Sequence, residues 1–241
     1  MQVPSSYVEG YTDVVNDVIS SGRNELAAAL SLVDPTADPA ELRRTLIALM
    51  EDYCGAYSQV GARVSSDFYN VLRTEVTGKG SRNLTLNDGR NRVATRKAVL
   101  RLLRMLEDEE IEWDEVVEQL QEQLEVEVKR GAAYNTTENA RLDDGDVRFA
   151  RVPQGEKTCD FCIMLASRGP IYWTEESAGA FTKFHPSCDC KVVPFFGTRE
   201  DGVSRRASTM TIEGYDPDAL YKEYQDAQRR KAEWHREHDH K

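Results

Sequence analysis

Apolar residues recur at helical spacing through the first half of the chain. Leu42, Leu46, Leu49, Tyr53, Tyr57, Val60, Val64, Phe68 and Val71 return every three or four positions, the period of one helix face. Asp38-Pro39 followed by Glu41 opens this stripe with an N-cap carboxylate, a proline where no N–H is needed, and an acid at the positive end of the dipole. One long amphipathic helix is therefore expected from residue 39. Upstream, Val14, Val15, Val18, Ile19, Leu26 and Leu30 predict a shorter helix or helix pair ending at the Asp34-Pro35 break. Beyond Gly78, Gly80 and the Asn87-Asp88-Gly89 turn, Val99, Leu102, Leu103 and Leu106 begin another stripe. A further helix is expected from near Trp113, with Val116, Val117, Leu120 and Leu124 on one face and Gly131 closing it.

The period changes near residues 143–145. Asp146 to Val152, Ile171-Tyr172-Trp173 and Lys191 to Phe196 read as short strands separated by Gly, Pro and Ser turns, with one helical turn near Met164. After a polar stretch, Asp216-Pro217-Asp218 opens a last helix with Leu220, Tyr221, Tyr224 and Ala227 along one side, ending in the charged run Trp234 to Lys241. The expected fold class is α+β. Residues 1–140 form a helical bundle or arm, 141–198 a small β-rich module stapled by zinc, and 199–241 a polar linker with a C-terminal helix and tail. A module of about 60 residues buries too little surface to be robust alone, so a bound metal would materially help it fold.

Charge narrows the function classes. The net charge is −11, which disfavours a dedicated nucleic-acid binder. It is unevenly spread: Arg73 to Arg104 is basic, whereas Glu107 to Glu127 has no Lys or Arg, and both read first as solvated helix faces. No apolar run approaches the about 20 residues of a membrane helix. Residues 1–10 lack the basic-then-apolar pattern of a secretory signal, so a reducing cytoplasm is expected and disulfides are not.

Four of the five cysteines lie between Cys159 and Cys190; Cys54 stands apart in the helical stripe. Cys159-Asp-Phe-Cys162 is a C-x2-C knuckle, and His185-Pro-Ser-Cys188-Asp-Cys190 comes 22 residues later. Two short-spaced ligand pairs joined by a longer loop suit tetrahedral zinc with little strain. The candidate ligands are Cys159, Cys162 and His185, with Cys190 and Cys188 competing for the fourth place. Four protein ligands leave no open position for a reactive water, so the expected zinc is structural and no catalytic residue is assigned. The order of motifs excludes a zinc deaminase, whose histidine segment precedes its cysteine pair. A thiol nucleophile would want a lone activated cysteine rather than a cluster.

The stretch Ala150-Arg-Val-Pro153-Gln-Gly155 through Cys159, Cys162 and Arg168-Gly169, with Tyr172, then His185, Cys188 and Cys190, resembles the Mu F-like minor head protein module of tailed bacteriophages. Ile212 to Asp218 and Leu220-Tyr221 resemble the segment C-terminal to that module in actinobacterial-phage members. The resemblance covers about residues 145–225 and is similar in character only over the helical half. It implies a minor capsid protein in the head interior near the portal vertex, made in the host cytoplasm and acting in head assembly and DNA packaging or ejection. The implied partners are the portal protein and/or the major capsid protein, with local contact to packaged DNA through the Arg73–Arg104 segment and none with membrane. The toxin or protease domain that some members carry is not expected here. Two other functions fit a zinc module: a zinc-dependent nuclease or hydrolase using His185 and Asp189, and a nucleic-acid-binding regulator.

Overall fold

The computed structural model describes residues 1–82, 86–155, 158–179, 184, 186, 188–197 and 208–238. Helix α1 spans Ser6–Leu30 as one continuous element, α2 Pro39–Thr77, α3 Arg92–Glu107 and α4 Trp113–Leu142. The predicted cap of α2 forms: the Asp38 carboxylate accepts hydrogen bonds from the Ala40 and Glu41 N–H groups at 3.1 Å each. At its far end Gly78 takes up the left-handed conformation (φ 67°) and its N–H donates to the Thr74 carbonyl, closing the helix. Leu42, Leu46 and Phe68 of the predicted stripe are buried, but Val60 and Val71 face solvent; a helix of 39 residues meets different neighbours along its length, and the buried face drifts onto Tyr69 and Leu72.

Helix α4 does not stop at Gly131 but runs eleven residues further to Leu142. Gly131 sits where α4 crosses α2, and a Cβ there would lie 2.4 Å from the Ser58 carbonyl oxygen; at Gly61, on α2, it would lie 2.8 Å from the Val128 carbonyl oxygen. Both glycines allow the two backbones to approach, so the residue read as a terminator is a contact residue. Around them lies a buried seam of small polar groups. Ser65 Oγ and Thr136 Oγ1 are 2.7 Å apart, Asn135 Nδ2 donates to Ser66 Oγ at 2.7 Å, and Asn135 Oδ1 accepts from the Asn87 N–H at 3.1 Å.

Two apolar clusters flank this crossing. Leu26 and Leu30 of α1, Leu46 and Met50 of α2, Leu102 of α3 and Leu120 of α4 belong to the first. The second joins Val15 of α1 and Tyr69 of α2 to the strands β2 (Arg148–Val152) and β3 (Lys191–Phe195). These strands pair antiparallel, with Arg148 opposite Phe195 and Val152 opposite Lys191. Every residue in both is buried, yet the sequence alternates, because the two faces meet two different cores. Ala150, Val152, Val193 and Phe195 turn toward the helices, whereas Phe149 and Val192 join a third cluster with Cys162, Cys188 and Cys190. The expected strand at residues 171–173 reduces to a single bridge between Phe149 and Tyr172. The helical turn near Met164 is α5, Asp160–Ala166. A short parallel pair ties β1 (Gln2–Val3) to β4 (Thr211–Ile212), just before α6, Pro217–His238. The Asp216 carboxylate accepts from the Asp218 and Ala219 N–H groups, capping α6 as its sequence predicts.

Asp143, directly after α4, anchors the helix ends. Its Oδ2 accepts from Tyr69 OH at 2.9 Å and Arg73 Nε at 3.0 Å, and Arg82 Nη1 lies 3.2 Å away. Arg73 also donates to Asp144 and to the Gly80 carbonyl, so this first member of the basic stretch is not on a solvated face but buried. Burial would raise the Asp143 pKa, but hydrogen bonds from the Gly145 N–H, Tyr69 and Arg73 outweigh it and hold the carboxyl at about 2.

Candidate metal centre

Two segments deliver the three sulfurs. Cys162 comes from the first turn of α5, Cys190 immediately precedes β3, and Cys188 sits two residues before that, with the sulfurs of Cys188 and Cys190 turned to one point. The three Sγ atoms form a triangle with sides of 3.1 Å, and all three residues are buried. All are free cysteines, and 3.1 Å is far beyond the about 2.05 Å of an S–S bond. An odd number of converging thiols cannot be paired off by oxidation. Soft sulfur donors at this density suit zinc or another thiophilic ion, and tetrahedral zinc with Zn–S bonds of about 2.3 Å needs a triangle only somewhat wider. The residues therefore fit a metal, which Cys162, Cys188 and Cys190 could hold as thiolates.

The two cysteines that compete in the sequence, Cys188 and Cys190, both belong to the triangle. Cys159, at the start of α5, is half-buried against the same cluster but is not one of the three whose sulfurs lie within 4.8 Å of one another. His185 lies outside the described residues. Cys54, far from the triangle in sequence, is buried in the first helical cluster, where burial pushes its thiol well above the ordinary range.

Sequence reasoning missed Arg151. It is central in β2, opposite Val192, on the face that carries Phe149 toward the cysteines. Its Nη2 donates to Cys190 Sγ at 2.6 Å and Nε donates to the same sulfur at 3.2 Å, while Nη2 lies 3.6 Å from Cys162 Sγ and 3.9 Å from Cys188 Sγ. The guanidinium stacks on the Phe184 ring, 4.2 Å from its centroid. The signal available in the sequence was a cation on an inward position of a strand within a cysteine-rich module.

Hydrogen bonds from Cys162 and Cys190 hold Cys188 below the ordinary thiol range, contacts to Cys188 and Cys190 together with burial push Cys162 up, and burial lifts Cys190 to about 11. Lys191 is buried beside them, its Nζ donating to the Asp189 carbonyl at 3.2 Å; burial and the nearby Lys129 bring its pKa down to about 8. Lys129 in turn pairs with Glu125 and donates to the Pro186 carbonyl, which fastens the loop before Cys188 to α4. Opposite, Thr158 Oγ1 donates to the Asp189 carboxylate at 3.0 Å, tying the segment before α5 to the residue between the two later cysteines.

Fold and site thus define an α+β protein with a buried three-cysteine centre competent to hold a metal. A model of a protein family described as VG15 protein matches residues 2–227, and the chain belongs to that family. The chain is also similar to the Gene 15 protein of Mycobacterium phage D29, 32% identical over 76 residues, a match covering 20% of this chain and 28% of that protein. No solved structure matches the chain significantly. No helix among the described residues is long and apolar enough to cross a membrane.

Proposed function

We propose that the protein is a minor capsid protein of a tailed bacteriophage, a non-enzymatic component of the head interior near the portal vertex that acts in head assembly and in DNA packaging or ejection. The observation that carries this reading is the unbroken family match across residues 2–227, which takes in both the helices and the cysteine centre, joined to the similarity to a phage gene product. The resemblance of residues 145–225 to the Mu F-like minor head module supplies the finer role. The metal is zinc, and its work is structural: the three sulfurs are buried between β3 and α5 and hold together segments that the small third cluster alone binds weakly.

The partners in this reading are the portal protein and/or the major capsid protein. Arg73, Arg82, Arg90 and Arg96 of the basic stretch are engaged within the chain, by Asp143, Asp144, the Glu51 carbonyl and the Glu51 carboxylate. Arg92, Lys97 and Arg104, which face solvent on α3, are left for a local contact with packaged DNA. Peptide mass spectrometry of purified mature particles, with co-purification on the tagged portal protein, tests the assignment. Recovery in particles at low copy and capture by the portal protein are expected; absence from mature particles would contradict the virion location.

A further inference from the structure

Arg151 poses a problem of charge. A guanidinium is permanently protonated, and taking it out of water costs several kcal/mol unless an anion meets it. Arg151 is 2% exposed. No carboxylate among the described residues forms an ion pair with it. Its donors instead converge on sulfur, two of them on Cys190. Arg130, the other arginine buried as deeply among the described residues, has an ordinary partner in Glu127. Among the described residues, sulfur alone faces Arg151 as a source of counter-charge.

We propose that Arg151 is the built-in counter-cation and N–H donor of the metal centre, and that it restricts the centre to a divalent ion held by three thiolates with a neutral fourth ligand. The inference rests on the metal reading above. A divalent ion with the thiolates of Cys162, Cys188 and Cys190 carries one net negative charge, and the guanidinium cancels it. A neutral fourth ligand, imidazole or water, preserves that balance. A fourth thiolate from Cys159 would leave a buried net charge of minus one, which the low-dielectric surroundings of Phe149, Phe184 and Val192 disfavour. The guanidinium also fixes orientation. Held by the β2–β3 ladder and stacked on Phe184, it aims two N–H groups at Cys190, as donors outside the ligand set do when they orient ligands and tune a metal.

The test uses the full chain, with zinc affinity from chelator competition and thiolate number from the charge-transfer absorption of the cobalt(II) form. The wild type should bind one ion with three-thiolate intensity, and Cys159→Ser should leave that intensity unchanged. Arg151→Met should weaken zinc binding about 10–100-fold, the range seen when such outer partners of ligands are removed. Arg151→Lys, which keeps the charge but loses the paired donors, should fall between. Equal affinity in a folded Arg151→Met would overturn the role of Arg151 while leaving the metal centre intact. Should Arg151→Met fail to fold, the wild-type spectrum still decides, since four-thiolate intensity that drops in Cys159→Ser contradicts the charge argument. No zinc or cobalt uptake by the reduced wild type would remove the metal reading itself.

Discussion

Between α2 and α4 the buried polar groups are neutral and complete one another: Ser65 meets Thr136, and Asn135 meets both Ser66 and the Asn87 backbone. Around the cysteine triangle a permanent cation faces three sulfurs, with no carboxylate paired to it among the described residues. The first region is satisfied by the chain alone and secures two long helices that already share apolar neighbours. The second is a smaller cluster in which, among the described residues, a permanent cation faces sulfur rather than a carboxylate. A helix crossing can be specified by shape and neutral hydrogen bonds, whereas a small module with a buried charge needs a charged partner of fixed geometry.

The difference can be broken most forcefully on the metal side. Cys190→Ser should abolish stoichiometric metal binding and lower unfolding free energy by on the order of 4 kcal/mol, read from denaturant titration of metal-loaded protein. A variant as stable as the wild type would mean that the module does not depend on a metal. On the helical side, Gly131→Ala pushes a methyl group into the Ser58 carbonyl. It should cost about 3 kcal/mol with metal content unchanged, because backbone rather than a movable side chain receives the clash.

Asp143 gives a smaller and pH-dependent effect. Its folded pKa of about 2 lies below the unfolded value, so its contribution is fully present above the unfolded pKa and is lost as pH falls through about 2. Asp143→Asn should remove about 2 kcal/mol at neutral pH and flatten the acid limb of stability between about pH 4 and 2. An unchanged acid limb would show that Arg73 and Tyr69 do not hold the carboxylate in solution. Least of all, Ser65→Ala should cost about 1 kcal/mol, since Thr136 keeps the Ala132 carbonyl as a partner at 3.2 Å.

Much of the helical architecture was legible because it obeys local rules. The α2 N-cap, the α6 N-cap and the stripes of α3 and α4 are set by residues within a turn or two of each other. The features hidden from the sequence depend on distant neighbours. Gly131 has the composition of a helix end, and only the approach of Ser58 makes it a packing residue. Val60 and Val71 keep helical period yet remain about half exposed. Alternation in β2 and β3 was visible, but not that both faces would be covered, one by the helices and the other by the cysteine cluster. In the candidate metal centre, three of the five nominated residues, Cys162, Cys188 and Cys190, converge, while His185 lies outside the described residues. Cys188 and Cys190, which compete for one place in the sequence reading, have their sulfurs 3.1 Å apart, because residues two apart can turn to the same point. Arg151 was invisible because its role exists only once β2 is laid beside α5.

Cys162, Cys188 and Cys190 are proposed to hold a metal that staples the strand module to α5. Elemental mass spectrometry of freshly purified, reduced wild-type protein beside Cys162→Ser tests it most directly. One zinc per chain in the wild type and none in the variant is the predicted result; a metal-free wild type, or a variant that keeps its full complement, would contradict it.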